Sequence, residues 1–268
     1  MYYLCVERNV RLQISDINPR GSKTCVFVHG WPLSMDMYEL QTNVLPEMGY
    51  RCVLLDLRGF GGSDRPWDGY GYNRMADDLH SVICSLGVPS VQLIGFSMGA
   101  AICIRYMARY KGYRVQKLAL CGAAAPSFVQ RPGYPYGKTL AEVNSIITSL
   151  YQDRPETVRE FVEQLFASNP PAAFKEWMRS LCLEAAGYST IKALEALRDE
   201  DVQADLKSIC VPCGILHGRL DRICSFSMAE VLHREIAQSV LYPFDQSGHA
   251  LNCDQPEVFN KTLMDFLN

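Results

Sequence analysis

With 268 residues the chain is long for one small domain and short for two independent ones, and 48% hydrophobic with 21% charged residues suits a globular protein with one large core. A formal net charge of -3 without a long basic run speaks against nucleic acid or an anionic membrane as the main partner. The opening MYYLCVERNV lacks the basic and apolar regions of an export signal, no apolar run is long enough for a bilayer, and the 11 cysteines are odd in number and scattered, so a cytoplasmic protein with reduced thiols is expected.

In chain order, Tyr2, Leu4 and Val6 share one face of an alternating segment. Val10, Leu12 and Ile14 repeat the pattern after a turn near Arg8 and Asn9, which reads as a β-hairpin. Short apolar runs at 25–28, 52–55, 91–94 and 115–120 suit strands covered on both faces, as in a parallel sheet. Between the second and third runs, Ala76, Leu79, Val82, Ile83 and Leu86 recur at helical spacing before Gly87. After the third run, Ala101, Ile104, Met107 and Ala108 do the same before Gly112. This alternation implies right-handed crossovers and a mostly parallel α/β sheet.

The rhythm stops after Gly122. From Ala123 to Leu206 the sequence reads as loops and amphipathic helical stretches, among them 157–166 and 172–182, with no strand. Strand signals return at 213–217 and 240–242, and a last helix begins near Pro256. The expected organisation is a core domain of residues 1–122 and 207–268 interrupted by a helical cap of residues 123–206.

Gly95-Phe96-Ser97-Met98-Gly99 falls between a strand and a helix. On so tight a turn, side chains two residues either side of the serine would collide, and the turn lifts the hydroxyl above the sheet edge at the positive end of the helix. Ser97 is therefore the candidate nucleophile. An alkoxide needs a base, and the base an orienting acid. Of five histidines, His80 and His233 lie in helical segments, and His217 ends a strand at His-Gly, where local hydrogen bonding is common. His249, in the loop between the last strand and last helix, is the candidate base. The acid should fall between serine and histidine in the chain, and Asp221 after the 213–217 strand is favoured over Asp245, four residues before His249.

An oxyanion needs N–H donors. Met98, immediately after the serine, supplies one, and Trp31 in His29-Gly30-Trp31-Pro32 supplies the other, since Pro32 has none. The Trp31 side chain is also expected to wall the substrate pocket. The glycine-rich Asp56–Asp64 stretch breaks the dinucleotide spacing, because Asp64 stands at the third glycine position, and it reads as a structural loop. Cys210-Val-Pro-Cys213 has no companion pair and reads as neither zinc nor redox site. No cofactor and no metal is expected.

Taken together, His29-Gly-Trp-Pro32, Asp56 through Asp64 with Pro66-Trp-Asp-Gly-Tyr70, Ala76-Asp-Asp-Leu79, Gly95-Phe-Ser-Met-Gly99 and His217 through Ile223 resemble the α/β-hydrolase superfamily. The sequence is similar in particular to bacterial arylesterases, perhydrolases and cofactor-free haloperoxidases. The resemblance implies a Ser97–Asp221–His249 triad, Trp31 and Met98 amides as oxyanion hole, a helical cap, and Phe128 as a pocket residue. Pro32 hints at peracid formation from hydrogen peroxide. Ala100-Ala101 after Gly99 and Cys224-Ser225 after the acid loop depart from the family pattern. The expected substrate is a small carboxylic ester, and a homo-oligomer is compatible with the sequence. Carbon–carbon hydrolases, lactonases and thioesterases share the triad, and receptor-like members of the fold bind small molecules without turning them over.

Overall fold

The computed structural model describes all 268 residues. The hairpin forms as expected from β1 (Tyr2–Glu7) and β2 (Val10–Ile17), with Asn9 supplying a positive φ of 63° at the turn. Leu12 and Ile14 of β2 are fully buried, whereas Tyr2 and Tyr3 of β1 remain exposed at the sheet edge. The sheet continues through β4 (Tyr50–Leu55), β3 (Lys23–Val28), β5 (Val91–Phe96), β6 (Val115–Cys121), β7 (Cys213–Gly218) and β8 (Ser239–Phe244). Its order is β1-β2-β4-β3-β5-β6-β7-β8, antiparallel as far as β4 and parallel beyond it. Every residue of β5 and β7 is buried, which is why these strands read as continuous apolar runs.

The chain leaves β3 to form β4 on one side and β5 on the other, so the sheet order reverses there. The loops after such strands part to leave a crevice at their carboxyl ends. Four such ends carry the residues singled out above. Trp31 follows β3, Ser97 follows β5, Asp221 follows β7 and His249 follows β8.

Short α1 (Glu39–Thr42) precedes β4. Then α2 (Tyr72–Ser85) and α3 (Met98–Arg109) occupy the two helical stretches read from spacing, α2 burying Met75, Ala76, Leu79, Val82 and Ile83. Between β6 and β7 run α4 (Leu140–Gln152), α5 (Arg154–Leu165), α6 (Ala172–Glu184) and α7 (Gly187–Asp199), with only isolated bridges Val129–Lys138 and Arg131–Tyr134. A capping box opens α4: Thr139 Oγ1 accepts the Glu142 N–H at 3.2 Å and Glu142 accepts the Thr139 N–H at 2.6 Å. After β7 come α8 (Phe226–Glu235), α9 (Leu251–Asp254) and α10 (Pro256–Leu267). One cluster of 85 buried residues runs from the sheet into the inserted helices, through Val143, Val162 and Leu181, so the insertion shares the sheet's core. No helix is long and apolar enough to cross a membrane.

Candidate active site

Ser97 adopts φ 54° and ψ -118°, a conformation L-residues rarely take, at the junction of β5 and α3. The flanking glycines are required by contact. A Cβ on Gly95 would lie 2.7 Å from Ala100 Cα, and one on Gly99 only 2.3 Å from the Val28 carbonyl oxygen. The strain is held by backbone bonds, because the Ser97 carbonyl accepts from the Ala100 N–H at 3.0 Å and the Ala124 N–H at 3.2 Å.

The hydroxyl meets an imidazole. Ser97 Oγ lies 3.0 Å from His249 Nε2, and His249 Nδ1 lies 2.8 Å from Asp221 Oδ2. The side chains of His249 and Asp221 are fully buried. With Nδ1–H donating to the carboxylate, Nε2 is left as an acceptor facing the serine. Asp221 Oδ1 in turn accepts the Ile223 and Cys224 N–H groups at 2.8 and 2.9 Å. Burial pushes the Asp221 carboxyl upward, but the His249 charge and the donors from His217 and His249 outweigh it and hold the group well below the ordinary carboxylate range. The His249 loop is anchored to the insertion: Ala250 N–H donates to the Leu165 carbonyl, and Asp254 Oδ2 accepts from both Gly248 and Ala167 N–H.

Around the proposed oxyanion position, the Trp31 N–H has no acceptor in the main chain or side chains, and Met98 N–H belongs to the first turn of α3, where no intrahelical acceptor exists. The Gly30–Trp31 peptide is oriented by His29, whose Nδ1 lies 2.9 Å from the Gly30 oxygen while its Nε2 accepts the Leu57 N–H at 3.0 Å. Burial lowers the His29 pKa to about 4, which keeps the ring neutral in this donor–acceptor arrangement. Asp56 ties the same loop down, accepting the Met35 and Gly62 N–H groups at 2.8 Å each, with its pKa raised to about 6 by burial. The glycine-rich stretch is thus a structural loop that holds the site.

A cavity of about 80 Å³ opens onto Ser97. Trp31 and Phe128 wall it, joined by Phe161, Leu194 and Ile223. The Trp31 indole is fixed by donating Nε1–H to the Thr190 carbonyl at 2.7 Å.

Asp245 pairs with Arg219 on the surface at 2.6 Å and stays away from His249. His80 stacks on Tyr110, and His233 contacts Ser239 Oγ at 2.9 Å. Cys213 is buried in β7 and Cys210 is exposed. His217 differs from its sequence reading. Beyond its local contact to the Cys224 carbonyl at 2.8 Å, its Nε2 stands 3.3 Å from Asp221 Oδ2, so two imidazoles share one carboxylate. The signal was the spacing: a histidine next to the end of β7, four residues before Asp221.

The family profile described as the alpha/beta hydrolase fold matches residues 23–256, and the chain belongs to that family. It is 45% identical to the AB hydrolase superfamily protein YisY of Bacillus subtilis (strain 168), over 100% of this chain and 99% of the relative. It is 28% identical to the bifunctional esterase/perhydrolase DCH of Acinetobacter calcoaceticus, over 100% and 99% of the two chains. Among solved structures, the esterase EaEST of Exiguobacterium antarcticum superposes with a TM-score of 0.96 at 41% identity, covering 98% of each chain.

Proposed function

We propose that this protein is a serine esterase acting on small, arylesterase-type carboxylic esters through an acyl-enzyme on Ser97. The supporting observation is the buried chain from Ser97 Oγ through His249 to Asp221, closed by contacts of 3.0 and 2.8 Å. His249 Nε2 takes the hydroxyl proton as Oγ attacks the acyl carbon, and Asp221 stabilises the imidazolium. The tetrahedral oxyanion receives the Trp31 and Met98 N–H groups. Collapse expels the alcohol with the proton from His249, and water, deprotonated by the same imidazole, releases the acid. The cavity of about 80 Å³ is smaller than the ~150 Å³ space that takes up benzene, which supports short acyl groups.

Hydrogen peroxide in place of water gives a peracid by the same attack. Pro32 after Trp31 and the esterase/perhydrolase relative support this second acceptor. Initial rates over acetate to octanoate esters, lactones and thioesters, with and without peroxide, test the reading. Short p-nitrophenyl esters should be cleaved fastest. Turnover of lactones or thioesters alone would replace it with another triad hydrolase, and no turnover of any would favour a binding protein.

A further inference from the structure

The cavity beside Ser97 carries one basic side chain, Lys138. Its backbone is fixed at the bridge to Val129, with its N–H donating to the Phe128 carbonyl at 3.0 Å and its carbonyl accepting the Gln130 N–H at 2.9 Å. The residue is half-buried, and its ammonium has no carboxylate within 4.0 Å and no hydrogen-bond acceptor in the protein. Every other cavity wall except Ser97, Thr157, Glu160 and Gln164 is apolar.

With no partner in the protein, this ammonium is free to pair with an anionic group of a ligand that enters the cavity. Two carboxylates belong to nearby elements. Glu142, on α4, is engaged by Thr139 in the capping box, and Glu160, on α5, is exposed beside Arg159. Of the two charged residues that line the cavity, Lys138 is the less exposed and so the less screened by water.

We propose that Lys138 binds an anionic group at the far end of the acyl chain, so that the preferred substrates are monoesters of short dicarboxylic acids with one free carboxylate. This rests on the esterase reading of Ser97. The acyl part joins Ser97 in acylation and leaves only in deacylation, so the ion pair would be kept until the acid is released.

The test compares kcat/KM for monomethyl succinate with that for methyl 4-oxopentanoate, a neutral ester of nearly the same shape. A charge-assisted pair in a half-desolvated site should favour the anionic ester about tenfold. Within the Lys138→Met variant the ratio should fall to about one, and Lys138→Arg should restore it. Raising ionic strength from about 0.01 M to 1 M, which shortens the Debye length from about 30 to 3 Å, should erode the preference. Because each ratio is taken within one protein, partial misfolding of a variant cancels. A wild-type protein that cleaves the neutral ester but shows no anionic preference, or a preference that survives Lys138→Met, overturns this inference alone. Failure to cleave either ester, together with no phosphonate labelling of Ser97, overturns the esterase reading instead.

Discussion

Asp221→Asn tests the electrostatics of the site with the loss of a single charge. The carboxylate receives four donors: His249 Nδ1 at 2.8 Å and His217 Nε2 at 3.3 Å on Oδ2, Ile223 N–H at 2.8 Å and Cys224 N–H at 2.9 Å on Oδ1. An asparagine keeps its oxygen on the two backbone donors, which would otherwise be orphaned, and turns its NH2 toward the imidazoles. His249 Nδ1 must then accept, and its proton moves to Nε2, 3.0 Å from Ser97 Oγ. A protonated Nε2 cannot take the serine proton. The expected loss in kcat is ~10⁴, or about 5.5 kcal/mol of transition-state stabilisation at about 1.4 kcal/mol per decade. KM should change little, since Asp221 does not line the cavity. Burst kinetics with p-nitrophenyl acetate and single-turnover acylation read the loss, and circular dichroism reports the fold. Asp245→Asn, which removes only an exposed pair with Arg219, should stay within about twofold of wild type. A folded Asp221→Asn protein within tenfold of wild type would refute the tautomer argument.

His217→Phe removes the second donor to Asp221 and should lower kcat by about tenfold with KM unchanged, while His217→Gln, still able to donate, recovers most of the activity; a matched loss in both variants would mean that His217 only packs. Gly99→Ala places a methyl group 2.3 Å from the Val28 carbonyl and should cost at least about 2 kcal/mol in urea unfolding, and a loss below about 0.5 kcal/mol would contradict the close approach of β3 and α3. Two buried groups oppose each other with pH. His29, at about 4 in the folded protein against 6.5, binds its proton more weakly than when unfolded, so its contribution to stability falls as pH drops from 6.5 to 4. Asp56, at about 6 against 3.8, binds its proton more tightly when folded, so its contribution rises as pH drops from 6 to 3.8. At about 1.4 kcal/mol per pH unit each is worth about 3 kcal/mol. Asp56→Asn should therefore lose about 3 kcal/mol more stability than wild type between pH 6.5 and 4, and parallel stability curves would show that Asp56 is not perturbed by burial.

The strands and the serine turn were legible because both are dictated locally. β5 and β7 are buried on both faces and so are apolar throughout, and Gly95 and Gly99 mark a turn that no other residues allow. Asp221 and His249 were legible from position, since each follows the carboxyl end of a strand. The inserted helices were half legible. α5 and α6 show their buried stripes, whereas α4 and α7 read less plainly, and ahead of α4 the plainest signal is the capping-box spacing of Thr139 and Glu142. What spacing could not show is convergence. Lys138 reaches the cavity through a bridge to Val129, and Asp254 joins the His249 loop to the end of α5 across 86 residues, contacts made only after the insertion folds back.

Exposure to a fluorophosphonate probe, followed by intact mass and peptide mapping, asks most directly whether the alcohol after β5 is activated by its distant partners. One adduct per chain on Ser97, absent in Ser97→Ala and strongly slowed in Asp221→Asn, is the predicted result. An unlabelled folded wild type, or a label that persists in Ser97→Ala, would contradict it.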